Sequence, residues 1–79
     1  MKCDCCSKRR GLFESFTNLK TNDGVLHICV KCSTLVYIIR DDLKDNDPKL
    51  KDHLAELEKR ETKDATAFKK WLNTKILNK

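Results

Sequence analysis

Two Cys-x-x-Cys pairs, Cys3/Cys6 and Cys29/Cys32, constrain this chain more than any other feature. Each pair brings two sulfurs to one point, and together they supply the four thiolates that a tetrahedral zinc ion selects. The constraint matters because the chain has only 79 residues. A domain of that size buries too little apolar surface to offset its conformational entropy comfortably without a staple. A structural zinc site contributes about 10–16 kcal/mol of apparent binding free energy at neutral pH, coupled directly to folding. The reading is one structural Zn2+ held by Cys3, Cys6, Cys29 and Cys32, with the N-terminal half largely disordered when the metal is absent.

Five cysteines are an odd number for a disulfide scaffold. The sequence opens Met1-Lys2-Cys3 with no apolar stretch ahead of the first ligand, so a reducing, cytoplasmic setting is expected. Cys5, inside the first pair, reads as a spare and partly exposed thiol. His27 would share a face with Cys29 in an extended segment and reads as a surface histidine or a neighbour of the ligands. His53 reads as a solvated side chain on a charged helix.

A four-thiolate shell is closed and leaves no position for water or substrate, which marks a structural rather than a catalytic ion. No glycine-rich phosphate loop, Ser-His-Asp set or His-Glu-x-x-His helix occurs, so neither enzymatic activity nor a small-molecule substrate is expected. The longest apolar run, Leu35 to Ile39, falls far short of the roughly eighteen residues that cross a bilayer. No membrane span, and no membrane partner, is expected.

All five cysteines fall before Ser33, and the only proline, Pro48, lies well after it. This shift divides the chain into a zinc-binding module, residues 1–46, and a charged amphipathic extension, residues 47–79, which together can form one unit. Between the cysteine pairs, Leu12, Phe13, Phe16 and Leu19 supply apolar side chains, Asn22-Asp23-Gly24 signals a turn, and Val25 to Cys29 reads as extended. A short β-hairpin is the economical solution. Leu35, Val36, Ile38, Ile39 and Leu43 fall mainly on one helical face, predicting a helix from about Val30 to Leu43, although Val36 to Ile39 also suits a strand. Asp47-Pro48 reads as a cap followed by a first helical residue. The stripe Leu50, Leu54, Leu57, Ala65, Phe68, Leu72, Ile76, with Glu61 as a polar interruption between Leu57 and Ala65, then fits one long helix, or two joined near Thr62. The expected class is a small, zinc-stabilised α+β fold.

The segment after the second pair separates two zinc architectures. A ribbon places both pairs on hairpin turns, whereas a treble clef places the second pair in the first turn of a helix. Here Cys32 runs into the apolar helical stripe, and a helix N-terminus stabilises thiolates, which favours a treble-clef-like site. The residues Cys3-Asp4-Cys5-Cys6-Ser7-Lys8, Gly11-Leu12-Phe13 and His27-Ile28-Cys29-Val30-Lys31-Cys32 resemble the short zinc-finger proteins of Gram-positive bacteria and their phages, and are similar to the anti-sigma factor Gin family. The resemblance covers roughly residues 1–43. It implies a zinc site on Cys3, Cys6, Cys29 and Cys32 and a regulator that binds a protein of the transcription apparatus. Cys5, a longer stretch between the pairs and the extension after Asp47 depart from that family's pattern.

Recognition is thus the expected activity, and two surfaces compete for it. Phe68, Trp71 and Leu72 would carry contact with a cellular protein, or self-association. Lys8, Arg9 and Arg10 with Lys69, Lys70 and Lys75 would carry contact with nucleic-acid phosphates. The formal charge is +5, and four coordinated thiolates on one divalent ion lower it by two, to about +3. Residues 49–64 alternate in sign, with pairs such as Glu56 and Arg60 suited to a solvated helix face. Mixed charge of that kind suits a protein surface better than a phosphate track.

Overall fold

The computed structural model describes residues 1–78. Strands β1 (Thr17–Thr21) and β2 (Gly24–Ile28) form the expected antiparallel hairpin, in the register Thr17 opposite Ile28 and Leu19 opposite Leu26. Asn22 and Asp23 span the turn, and Gly24 takes φ 148°, a backbone conformation open to a residue without Cβ.

Helix α1 (Val30–Asp45) comes immediately after, with Cys29 as its N-cap residue. Its β-branched run at Val36, Ile38 and Ile39 is tolerated because Leu35, Val36 and Ile39 are buried together with Ile28 of the hairpin. Tertiary packing overrides local strand propensity here. The helix stops at Asn46, whose left-handed φ of 52° turns the chain.

Regular helix α2 (Leu50–Arg60) begins two residues after the proline. The N-cap residue is Lys49, without a side-chain cap, and not Asp47 as expected; Asp47 instead organises the turn before the helix, where its Oδ1 accepts the Lys49 N–H at 2.9 Å and its carbonyl accepts the Leu50 N–H at 3.1 Å. The extension is two helical segments, not one. Helix α2 ends at Glu61, and helix α3 (Thr66–Trp71) runs directly into a π-helical turn at Leu72–Ile76.

One core serves both subregions. Cys3, Cys5, Ile28, Cys29, Cys32, Leu35, Val36 and Ile39 from the first pack in the same cluster as Leu57, Ala65, Phe68 and Leu72 from the second. Residues 61–65 bridge the two directly: the Thr62 N–H donates to the Cys5 carbonyl at 3.0 Å, and Ser7 Oγ lies 2.8 Å from Thr62 Oγ1.

This packing corrects the expected partner surface. Phe68 has no solvent exposure and Leu72 only 5%, so neither is available to a partner. Trp71 alone is half-exposed, with its ring stacked on Phe68 at a centroid distance of 6.1 Å. Truncating a fully buried phenylalanine removes its transfer free energy and leaves a cavity. We expect Phe68→Ala to destabilise the metal-loaded protein by about 3–5 kcal/mol, read as a shifted denaturant midpoint.

His53 is also not the solvated side chain expected. Its Nδ1 meets Oδ2 of Asp42 at 2.5 Å, and Asp42 is buried on α1. The pair fastens α2 onto α1 and supplies the buried carboxylate with a partner.

Candidate metal centre

The Sγ atoms of Cys3, Cys6, Cys29 and Cys32 all lie within 4.8 Å of one another. The first pair comes from the loop before the hairpin, the second from the start of α1. Two sulfur pairs cross between the knuckles at 3.7 Å, Cys3 with Cys32 and Cys6 with Cys29. A tetrahedron with metal–sulfur bonds of about 2.3 Å has edges of about 3.8 Å. The four thiols therefore have the spacing, the chemistry and the number to hold one metal ion.

The backbone builds the site. Cys3 to Lys8 form a tight turn, in which the Cys3 N–H donates to the Lys8 carbonyl at 2.8 Å and Ser7 N–H donates to the Cys3 carbonyl at 2.9 Å. Ser7 adopts φ 62° to close it. Cys3 Sγ accepts three backbone N–H groups, from Cys5 and Cys6 at 3.4 Å and from Cys29 at 3.3 Å. Donors aimed at sulfur stabilise the anionic form that a metal requires. Cys29 and Cys32 add the N-terminal field of α1.

Burial works against thiolate formation in the metal-free site. It raises the Cys3 thiol above its ordinary value and pushes the Cys6 thiol up to about 12. Hydrogen bonding with Cys5, together with burial, pushes Cys32 well up. At Cys29 burial acts in the same direction, but the Cys32 N–H and the surrounding thiols outweigh it and lower the group to about 7.

Cys5 has no exposed surface, so the spare thiol is buried rather than partly exposed. It lies against Cys32 and outside the four-sulfur cluster. All five cysteines are free thiols. His27 lies on β2 with its Nδ1 2.7 Å from Asn18 Oδ1, a surface contact away from the sulfurs.

Arg60 is a site residue that the sequence alone does not reveal. Expected on a solvated face with Glu56, it instead donates from Nε to Cys32 Sγ at 3.4 Å. The sulfur raises the guanidinium further above its already high value. A four-thiolate site around a divalent ion carries two excess negative charges, and a guanidinium on one sulfur compensates part of them. We expect Arg60→Ala to weaken metal affinity about 10- to 100-fold, measured by competition with a chromophoric chelator. Arg60→Lys keeps the charge and should recover part of the loss.

The six cations of the nucleic-acid reading do not form one stripe. Lys8 sits beside the metal site, where its Nζ is 2.9 Å from Glu14 Oε2. Lys70 and Lys75 face the hairpin tip, lining a groove of about 280 Å³ with Asn22, Val25 and Trp71. Lys69 lines a different cavity, beside Glu58 and Glu61.

Fold and site together define a small α+β protein with a cluster of four cysteines that could hold a metal ion. No protein-family model, no curated protein and no solved structure matches the chain. None of the described helices is long and apolar enough to cross a membrane.

Proposed function

We propose that this chain is a non-enzymatic zinc-binding module of the treble-clef type, which acts as a regulator or adaptor by binding another protein in the cytoplasm. The observation that carries the proposal is the four-sulfur cluster, with every sulfur within 4.8 Å of the others. Four thiolates complete a tetrahedral shell, and a complete shell organises structure instead of activating water. Zinc fits best among common metals because it accepts four sulfurs without demanding redox chemistry. Support for the treble-clef type comes from Cys29 at the N-cap of α1 and Cys32 in its first turn. The resemblance to the Gin family of zinc-finger regulators points the same way.

Trp71 is the side chain of the expected partner surface that solvent still reaches. It forms a wall of the groove between the hairpin tip and α3, with Ala67, Lys70 and Thr74. An aromatic with one face buried and one edge open is a common anchor of protein recognition. Lys69 lies on a different surface from Lys70 and Lys75, which favours this reading over one phosphate track along the C-terminal lysines.

Elemental analysis should find one zinc per chain, and cobalt substitution should give the intense sulfur-to-metal absorption of a tetrahedral four-thiolate site. A metal-free chain that stays fully folded would defeat the proposal. Binding of DNA or RNA that is tight at about 50 mM salt and weaker by orders of magnitude at about 200 mM would replace the protein-binding arm with the nucleic-acid one. Retention of a partner by the intact protein, but not by Trp71→Ala, supports the protein arm.

A further inference from the structure

Leu12 is 90% exposed and Phe13 95%. Most apolar side chains between the cysteine pairs turn inward, as Phe16 and Leu19 do. These two stand out from the protein at the apex of a turn, and the turn is built to hold them there. Glu14 closes it from within: its N–H donates to the Gly11 carbonyl at 3.3 Å, and its Oε1 accepts the Gly11 N–H at 3.1 Å. Its Oε2 pairs with Lys8 at 2.9 Å, and its carbonyl accepts from Arg10 Nε at 2.8 Å. A Cβ on residue 11 would lie 2.5 Å from Glu14 Oε1, so glycine is what admits the carboxylate so closely. The loop is braced, and its two apolar side chains take no part in the bracing.

Cations precede this apex along the chain, and two of them, Lys8 and Arg10, contact Glu14 of the turn. Lys2, Lys8, Arg9 and Arg10 are all exposed or partly so, and Lys2 and Arg9 face each other across a β-bridge. The neighbouring carboxylates are committed elsewhere. Glu14 is paired with Lys8, which holds its carboxyl below the usual range, and Asp4 Oδ2 accepts the His27 N–H at 2.7 Å. Met1, 61% exposed, joins the same surface through its carbonyl, which accepts the Arg10 N–H at 2.9 Å.

We propose that the Gly11–Glu14 turn is a membrane-contacting tip: Leu12 and Phe13 enter the headgroup region of an anionic bilayer while Lys2, Arg9 and Arg10 engage lipid phosphates. The inference goes beyond the protein-binding reading, does not depend on it, and departs from the expectation that the chain has no membrane partner. Charge complementarity decides the occupant. Interfacial anchors combine apolar side chains at their apex with Lys and Arg near it, and that is the arrangement of this turn. A protein interface needs about 800 Å² per partner and depletes lysine from its centre, whereas two convex side chains beside a cationic segment offer neither the area nor the composition. Insertion is shallow and reversible, since only two side chains enter the bilayer.

The test is co-sedimentation of the zinc-loaded chain with vesicles of equal parts phosphatidylglycerol and phosphatidylcholine, against vesicles of phosphatidylcholine alone. We expect at least about tenfold stronger partition onto the anionic vesicles. Leu12→Ser/Phe13→Ser should weaken it at least about tenfold, with zinc content and circular dichroism unchanged because neither side chain supports the fold. Lys2→Ala/Arg9→Ala should weaken it about fivefold per cation. Equal partition of the intact protein and the Leu12→Ser/Phe13→Ser variant would overturn the proposal, leaving charge alone at work. An intact protein that stays in solution with anionic vesicles would overturn it as well.

Discussion

Replacing Cys29 with serine is expected to unfold the whole chain, not only the segment around the cysteines. Serine keeps the size but supplies no thiolate, and three sulfurs in place of four remove much of the roughly 10–16 kcal/mol that a structural zinc site contributes. That loss exceeds or matches the net stability of a typical small domain, about 5–15 kcal/mol. The collapse extends to the C-terminal helices because the ligands lie in the same core as Leu57, Phe68 and Leu72. Cys5 and Ser7 of the first knuckle also hold Thr62 by direct hydrogen bonds. Far-ultraviolet circular dichroism of Cys29→Ser should lose most of its helical signal, and chelation of the intact protein should do the same. Cys5→Ser supplies the contrast, since Cys5 lies outside the cluster: that variant should keep its metal and its helices. Retention of native helicity by Cys29→Ser would show that the helices fold without the ion.

The ligand set and the hairpin are legible from spacing alone, since Cys-x-x-Cys has few uses and Asn22-Asp23-Gly24 turns a chain. Helix α1 is legible because its apolar residues repeat at helical intervals. Less can be read where the outcome depends on which neighbour covers a face. The stripe of Leu50, Leu57, Phe68 and Leu72 announces burial, but Phe68 reads as a partner contact because nothing local says that α3 folds back onto the metal module. The break between α2 and α3 carries neither glycine nor proline, so only the polar Glu61 in the apolar stripe marks it, and one helix and two fit the periodicity alike. Arg60 and His53 escape a reading of the sequence for a related reason. Each has a long-range partner, Cys32 and Asp42, that only the folded chain brings near. Leu12 and Phe13 are the opposite case: their composition suits a core, and their exposure results from a turn closed by Glu14.

Acid should expel the metal steeply, and the fold should go with it. Bound to the ion all four sulfurs are thiolates, whereas without it Cys6 is pushed up to about 12, Cys3 and Cys32 are also raised, and Cys29 alone is lowered, to about 7. The metal-bound state therefore binds fewer protons than the metal-free state, so stability is present at neutral pH and is lost as pH falls. Near and below pH 7 three to four protons must be displaced per ion, and apparent affinity should fall about 10³- to 10⁴-fold for each pH unit. A site formed with 10–16 kcal/mol at neutral pH would be empty at micromolar concentration by roughly pH 6 to 5. Zinc release into a colorimetric indicator and loss of ellipticity should trace one curve, and both should reverse on return to pH 7 with zinc present. The steepness tests the ligand set: a transition spread over several pH units would mean that fewer than three thiols exchange protons for metal. Arg60→Ala should move the same curve to higher pH without changing its slope, because it removes a compensating charge and no ligand.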